Sequence, residues 1–177
     1  MDFQRVTSVG SPHFARCWQI YNDSFPREER RELAQQCAVL AEDRYRFVAV
    51  VDGGECLGLL CYWLFGADML FVEHVATDSA LRGRGVGAAV MEYVKSWGVD
   101  VILEIEPVVD ELSGRRRAFY ERLGFVKNDV AHRQPPFREG DDWLPLHIMS
   151  HPAPFTAERY EFFRTSQIEV QGAHLVV

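Results

Sequence analysis

The stretch Leu81-Arg82-Gly83-Arg84-Gly85-Val86-Gly87-Ala88-Ala89-Val90 decides how this chain is read. Gly83, Gly85 and Gly87 stand at alternate positions immediately before an amphipathic run. Without a Cβ the backbone can turn sharply there and let an anion come within hydrogen-bonding distance of several amides. Val86, Ala89, Val90, Tyr93, Val94 and Trp97 recur at steps of three and four, which predicts a helix with one apolar face that stops at Gly98. The N-terminus of that helix would add its free N–H groups and the positive end of its dipole to the same place. Arg82 and Arg84 add charge that suits a phosphate-rich ligand, more than a tight strand-to-helix turn alone would require.

Upstream of this loop the pattern is strand-rich. Phe3 to Val9 alternates loosely, and Ser11-Pro12 can start a helix that places Phe14, Cys17, Trp18, Tyr21 and Phe25 on one face. Pro26 interrupts, and the charged run Arg27 to Glu32 reads as the solvated face leading into a second helix bearing Leu33, Cys37 and Leu40. Phe47 to Val51, Cys56 to Phe65 and Met69 to Ala76 then read as three antiparallel strands, joined by the turns Asp52-Gly53-Gly54-Glu55 and Gly66-Ala67-Asp68. Downstream, Val101 to Glu106 is a strand reached through a helical crossover, hence parallel to the strand before the loop. Ser113 can cap a helix that Gly124 ends after Leu123, and Phe125 to Asn128 is a short strand. The breaker-rich His132 to Asp142 reads as a loop, and Leu144 to Met149 as a last strand. The fold class is therefore α+β: one domain over residues 1–150 with a mixed, mostly antiparallel twisted sheet flanked by helices. Residues 151–177 form a tail in which Thr156 to Glu169 can be helical, packed on the domain or on a second subunit of a homodimer.

The 177 residues, 47% apolar and 25% charged, suit a globular protein with its own core. A net charge of −7 argues against nucleic acid as a partner and favours a cationic small molecule. Leu57 to Phe65, among the longest apolar runs, is too short to span a bilayer, and Met1 to Arg5 carries no signal-peptide core. Cys17, Cys37, Cys56 and Cys61 lack paired-ligand spacing, so reduced thiols and a cytoplasmic setting are expected. The scattered histidines predict no metal site.

Arg82, Gly85 and Gly87 fit the pattern of Arg or Gln, two residues, Gly, one residue, Gly or Ala between strand and helix, and Phe119-Tyr120-Glu121-Arg122-Leu123-Gly124-Phe125 forms a second motif. On both, and on the order of elements from Phe3 to Ser150, the chain resembles the GNAT acetyltransferase superfamily, whose members move an acetyl group from acetyl-CoA to a primary amine of a small molecule or peptide. The resemblance implies that the amides of Arg82, Gly83, Arg84, Gly85, Val86, Gly87 and Ala88 bind the coenzyme A diphosphate. It further implies that the strand ending Glu73-His74-Val75-Ala76 splays from its neighbour through a bulge, freeing main-chain groups of Val75, Ala76 and Thr77 for the pantetheine arm. Ser113 stands where many members carry Asn, in reach of the same ligand, and the acceptor would enter between the helices before residue 42 and the Pro135-Pro136 loop. The triplet Arg115-Arg116-Arg117 reads as a solvated basic turn or as further phosphate contacts.

The chemistry asks for two groups. A lysine-like amine has a pKa of about 10.4, so a base must take its proton before it attacks. Glu73 is the best-placed carboxylate by sequence, with a hydrogen-bonded strand residue as its other reading. His74 competes, but alternation turns it to the opposite face. Tyr120, protonated at neutral pH, suits the acid that protonates the leaving thiolate, its other reading being a half-buried helix aromatic. An amide near Val75 would hold the developing oxyanion. Two other functions fit parts of the pattern: a non-catalytic acyl-CoA sensor, and a dinucleotide-dependent oxidoreductase, because Gly83, Gly85 and Ala88 with Glu104 or Glu106 also satisfy G-x-G-x-x-G/A. The intervening Thr77 to Arg82 and the antiparallel strands weigh against the latter.

Overall fold

The structure is a computed structural model that describes residues 1–81 and 83–172. Its centre is one sheet in the order β1-β2-β3-β4-β5-β8-β6, with β7 paired to β8. The strands are β1 (Asp2–Val6), β2 (Tyr45–Asp52), β3 (Glu55–Phe65), β4 (Met69–Thr77), β5 (Asp100–Ile105), β6 (Val126–Lys127), β7 (His132–Gln134) and β8 (Leu144–His151). All pairings are antiparallel except β4 with β5, which the crossover helix α3 (Val86–Lys95) makes parallel. β3 reads as a continuous apolar run because both of its faces are covered.

Two apolar clusters, one on each face, carry the packing. The first joins Phe47, Trp63, Phe71 and Ile148 to α1 (Phe14–Ser24) and α5 (Ala157–Gly172) through Cys17, Tyr21, Phe163 and Val170. The second joins Val50, Leu60, Leu70 and Leu103 to α3 and α4 (Glu111–Arg122) through Val90, Met91, Val94 and Tyr120. Each fully buried aliphatic or aromatic side chain contributes about 1.5–3 kcal/mol, and the central strands of the sheet are the best served by both clusters. The last five residues of the tail, 173–177, lie outside the described residues.

Local chemistry departs from the sequence reading at several places. Helix α1 starts at Phe14 after His13 in a left-handed conformation, because the Ser11 hydroxyl is occupied by the amides of Thr7 and Ser8 in the preceding turn. Helix α2 (Leu33–Val39) buries Gln36 and Val39 and leaves Leu33 and Cys37 exposed. Its start is fixed by a reciprocal pairing of Glu32 and Gln35 rather than by an apolar stripe. Within the breaker-rich loop the short β7 finds β8 as its partner. Asp110, not Ser113, caps α4; the Ser113 hydroxyl turns back onto Asp110 three residues earlier.

Candidate active site

β4 and β5 are paired only from Met69 opposite Asp100 to Val72 opposite Leu103. Beyond Val72 the two strands part: β4 stays on β3 as far as Thr77 opposite Gly58, and β5 stays on β8 as far as Ile105 opposite His147. The gap opens into a cleft of about 1100 Å³ lined by Val72 to Thr77, Leu103 to Glu106, the glycine loop and α4. Among the described residues, main-chain groups of the parted half of β4 therefore have no strand partner on that side, and a buried ladder edge requires one from another source.

The parting coincides with a bulge. Cys61 pairs with His74 but Tyr62 pairs with Val72, so Glu73 is the extra residue of β4. In consequence Glu73 and His74 point to the same side of the sheet, which corrects the alternation expected of them. His74 packs between Tyr21 and Phe25, and its Nε2 donates to the Glu29 carbonyl at 2.7 Å. The Glu73 side chain is 1% exposed and takes a two-pronged hydrogen bond from Arg31 at 2.5 and 2.7 Å, with Trp63 Nε1 at 3.0 Å on Oε1. Gln171 of α5 donates to the same oxygen at 3.4 Å. The Arg31 guanidinium, itself 1% exposed, is boxed by the rings of Tyr45, Trp63 and Phe137.

Although desolvation alone would raise the Glu73 carboxyl, the Arg31 charge and hydrogen bonds hold it far below the usual carboxylate range. A carboxylate so paired is a poor proton acceptor, which argues against the general-base role expected of Glu73. Arg31 also departs from the solvated face expected of the run Arg27 to Glu32, since its partner lies forty-two residues along the chain.

The glycine loop behaves as its composition predicts. Gly83 and Gly85 adopt φ of +82° and +78°, and a Cβ on either would meet nothing within 4 Å. The conformation itself asks for glycine, and the space above it is open. Gly85 stands at the N-cap of α3, so no N-cap side chain covers the first-turn amides, and among the described residues none caps the helix. Gly83, Gly85, Val86, Gly87 and Ala88 line the cleft together with Val75, Ala76 and Thr77. Arg84 is exposed and absent from the lining, its amide turned onto the Leu81 carbonyl. Arg82 lies outside the described residues.

Tyr120 projects from α4 into the cleft between Phe119 and Phe125. Burial pushes its phenol up to about 12, so it remains protonated at neutral pH, and its hydroxyl makes no hydrogen bond among the described residues. Ser113 does not join this group. Its hydroxyl accepts from the amides of Val109 and Asp110 and it is 3% exposed, so it closes the β5–α4 turn instead of facing the cleft. That corrects its placement as a ligand contact. Arg115 and Arg116 line the cleft but are paired with Glu111 and Glu106, while Arg117 pairs with Glu121.

Two features of the cleft lay beyond the sequence: the partners of Glu104 and the position of Glu29. Glu104 of β5 is held by His132 of β7 and by Gln167 of α5 at 2.8 Å, a contact between distant segments that no local pattern announces. Glu29, at the end of a single 3-10 turn (Arg27–Glu29), lines the cleft from the α1 side beside Asp23, Phe25 and Pro26. Among the described residues no three His, Cys, Asp or Glu side chains cluster as metal ligands, and no helix is long and apolar enough to cross a membrane.

The architecture has known counterparts. A protein described as a GNAT-family acetyltransferase from Bacteroides thetaiotaomicron is 31% identical and superposes with a TM-score of 0.88 over 96% of this chain and 97% of its own. An aminoglycoside 6′-N-acetyltransferase complexed with coenzyme A superposes with a TM-score of 0.63 at 16% identity, over 88% of this chain and all of its own. The ribosomal-protein-S18-alanine N-acetyltransferase of Escherichia coli gives 0.60 at 18% identity, over 89% and 96%. These last two share the fold. Curated protein sequences give no match. The profile of the acetyltransferase (GNAT) family matches residues 14–125, which span α1, the parted strands, the glycine loop and Tyr120. With most of the cleft inside the matched segment, the chain belongs to the GNAT acetyltransferase family.

Proposed function

We propose that this protein transfers the acetyl group of acetyl-CoA to a primary amine by direct attack, with acetyl-CoA as a substrate laid between β4 and β5. The observation that carries this reading is the parting of β4 from β5 directly above the N-terminus of α3, with Tyr120 facing the gap. The open positive-φ glycines Gly83 and Gly85 and the first-turn amides of α3 suit a diphosphate, and the unpaired edge at Val75 and Thr77 suits the amides of a pantetheine arm. Coenzyme A in the aminoglycoside acetyltransferase and acetyl-CoA in a GNAT acetyltransferase of Elizabethkingia anophelis support the same choice of ligand.

The neutral amine would attack the thioester carbonyl, forming the C–N bond and placing charge on the carbonyl oxygen near the Val75 amide. Collapse breaks the C–S bond and leaves its electron pair on sulfur. The Tyr120 hydroxyl gives its proton to that sulfur, and the phenolate then takes the surplus proton from the nitrogen, which keeps its other hydrogen in the product amide. A phenol held near 12 is never lost to ionisation at neutral pH, which is what an acid in this step requires.

Two measurements test this. Acetyl-CoA should raise the melting temperature and NADH should leave it unchanged; the reverse would return the dinucleotide reading. Tyr120→Phe should lower turnover in a thiol-release assay by about 10²-fold with the acetyl-CoA melting shift retained. Unchanged turnover removes Tyr120 from the mechanism, and a wild type that binds acetyl-CoA yet never releases thiol favours a sensor.

A further inference from the structure

Among the charged groups that line the cleft, nearly all are already matched. Glu73 is held by Arg31, Glu104 by His132 and Gln167, Glu106 by Arg116, Asp78 by Arg16 and the Ala80 amide, and Arg115 by Glu111. The two carboxylates left without an ion pair or hydrogen bond among the described residues are Asp23 and Glu29, both at the end where α1 meets the 3-10 turn. Asp23 is exposed, whereas Glu29 is half-buried. The position of Glu29 is also fixed: its carbonyl receives the His74 ring at 2.7 Å and its amide closes the turn onto Pro26 at 3.1 Å. His74 follows the bulge residue, so Glu29 is tied to the point at which β4 leaves β5. Ile20, Phe25 and Pro26, next to Asp23 and Glu29 in the chain, line the cleft with apolar surface, as does Leu146.

An unmatched carboxylate among apolar side chains, in the same cleft as the glycine loop, is chemistry for a cation carried on a hydrocarbon chain. Resting on the transferase reading above, we infer that Glu29 receives the acceptor as an alkylammonium ion and removes its proton. The proton passes from nitrogen to a Glu29 carboxylate oxygen, the carboxylate becomes neutral, and the freed lone pair attacks the thioester. The surroundings assist. Desolvation is the largest influence on the Glu29 carboxyl and raises it above the usual range, which makes it a better proton acceptor than an exposed glutamate. Of the charged groups that face it, His74 on β4 and Arg116 on α4 lower it, while Glu106 beyond β5 and its neighbour Glu28 raise it. The acceptor class is thereby narrowed to amines that are cationic near the reacting nitrogen and apolar behind it, with anionic amines such as amino acids disfavoured by Asp23 and Glu29 together.

The test is thiol release from acetyl-CoA with n-butylamine, n-hexylamine and 6-aminohexanoate, for the wild type, Glu29→Gln and Glu29→Asp between pH 6.5 and 9.5. The wild type should use hexylamine in preference to 6-aminohexanoate. Glu29→Gln should lose at least tenfold in kcat/KM for hexylamine at pH 7, and the loss should shrink as pH rises and solvent supplies the free amine. Glu29→Asp should keep part of the activity, and all three proteins should share melting temperature and acetyl-CoA shift. A Glu29→Gln protein with undiminished kcat/KM, or with a loss equal at every pH, overturns the inference and leaves the transferase standing. A wild type that binds acetyl-CoA but releases no thiol with any amine overturns the transferase reading itself.

Discussion

The two halves of β4 make opposite use of the same strand. From Met69 to Val72 it is paired on both edges and its side chains are fully buried between the two clusters. From Glu73 to Thr77 it keeps one neighbour, and Val75 and Thr77 are partly exposed on the cleft. A single extra residue at Glu73 separates a half paired on both edges from a half whose second edge opens on the cleft. The bulge is held by the buried Arg31–Glu73 pair. What looks by sequence like a catalytic carboxylate is, in this geometry, the anchor that keeps the strand bent.

If that contrast is right, substitutions on the two halves should differ most in stability. Phe71→Ala, in the paired half, should cost about 3–5 kcal/mol, and Val75→Ala, in the parted half, about 1 kcal/mol or less. Equal costs by urea unfolding would erase the distinction. Breaking the anchor belongs with the larger effects: Arg31→Ala leaves Glu73 buried and unpaired and should cost about 3–5 kcal/mol, whereas replacing both residues by Met should recover most of it.

The anchor also has a pH signature. The Glu73 carboxyl is lower in the folded chain than its unfolded value of about 4.3, so the pair's stabilisation is present above about pH 4.3 and declines as pH falls below it. Stability should therefore drop more steeply between pH 4.5 and 3 in the wild type than in the Arg31→Met, Glu73→Met double variant. At the loop the expected effect on stability is modest and the effect on binding is the readout. Gly85→Ala meets no atom and should cost only the left-handed backbone, about 1–2 kcal/mol, yet it should visibly reduce the melting shift given by acetyl-CoA.

What the sequence disclosed and what it hid divide along the same line. The glycine-loop turn, α3, the parallel crossover and the helix that carries Tyr120 to the cleft were legible because each is local: turn chemistry and a helical period lie within ten residues. Glu73 and His74 were misplaced because alternation assumes an unbroken register, and a bulge shows only when the partner strand is known. Arg31 was misread because a charge run is solvated by default, and its partner arrives from another part of the sheet. Ser113 was assigned one role from composition and took another because Asp110, three residues earlier, captured its hydroxyl. Glu29 carries no local signal at all. It stands out only in three dimensions, as the half-buried one of the two cleft carboxylates left unmatched among the described residues.

The central claim is that acetyl-CoA occupies the gap left where β4 parts from β5. Hydrogen exchange followed with and without acetyl-CoA reads it directly: peptides covering 73–88 should gain protection on binding while those within 69–72 stay as protected as before. Protection that appears elsewhere, with 73–88 unchanged under saturating acetyl-CoA, would contradict the account.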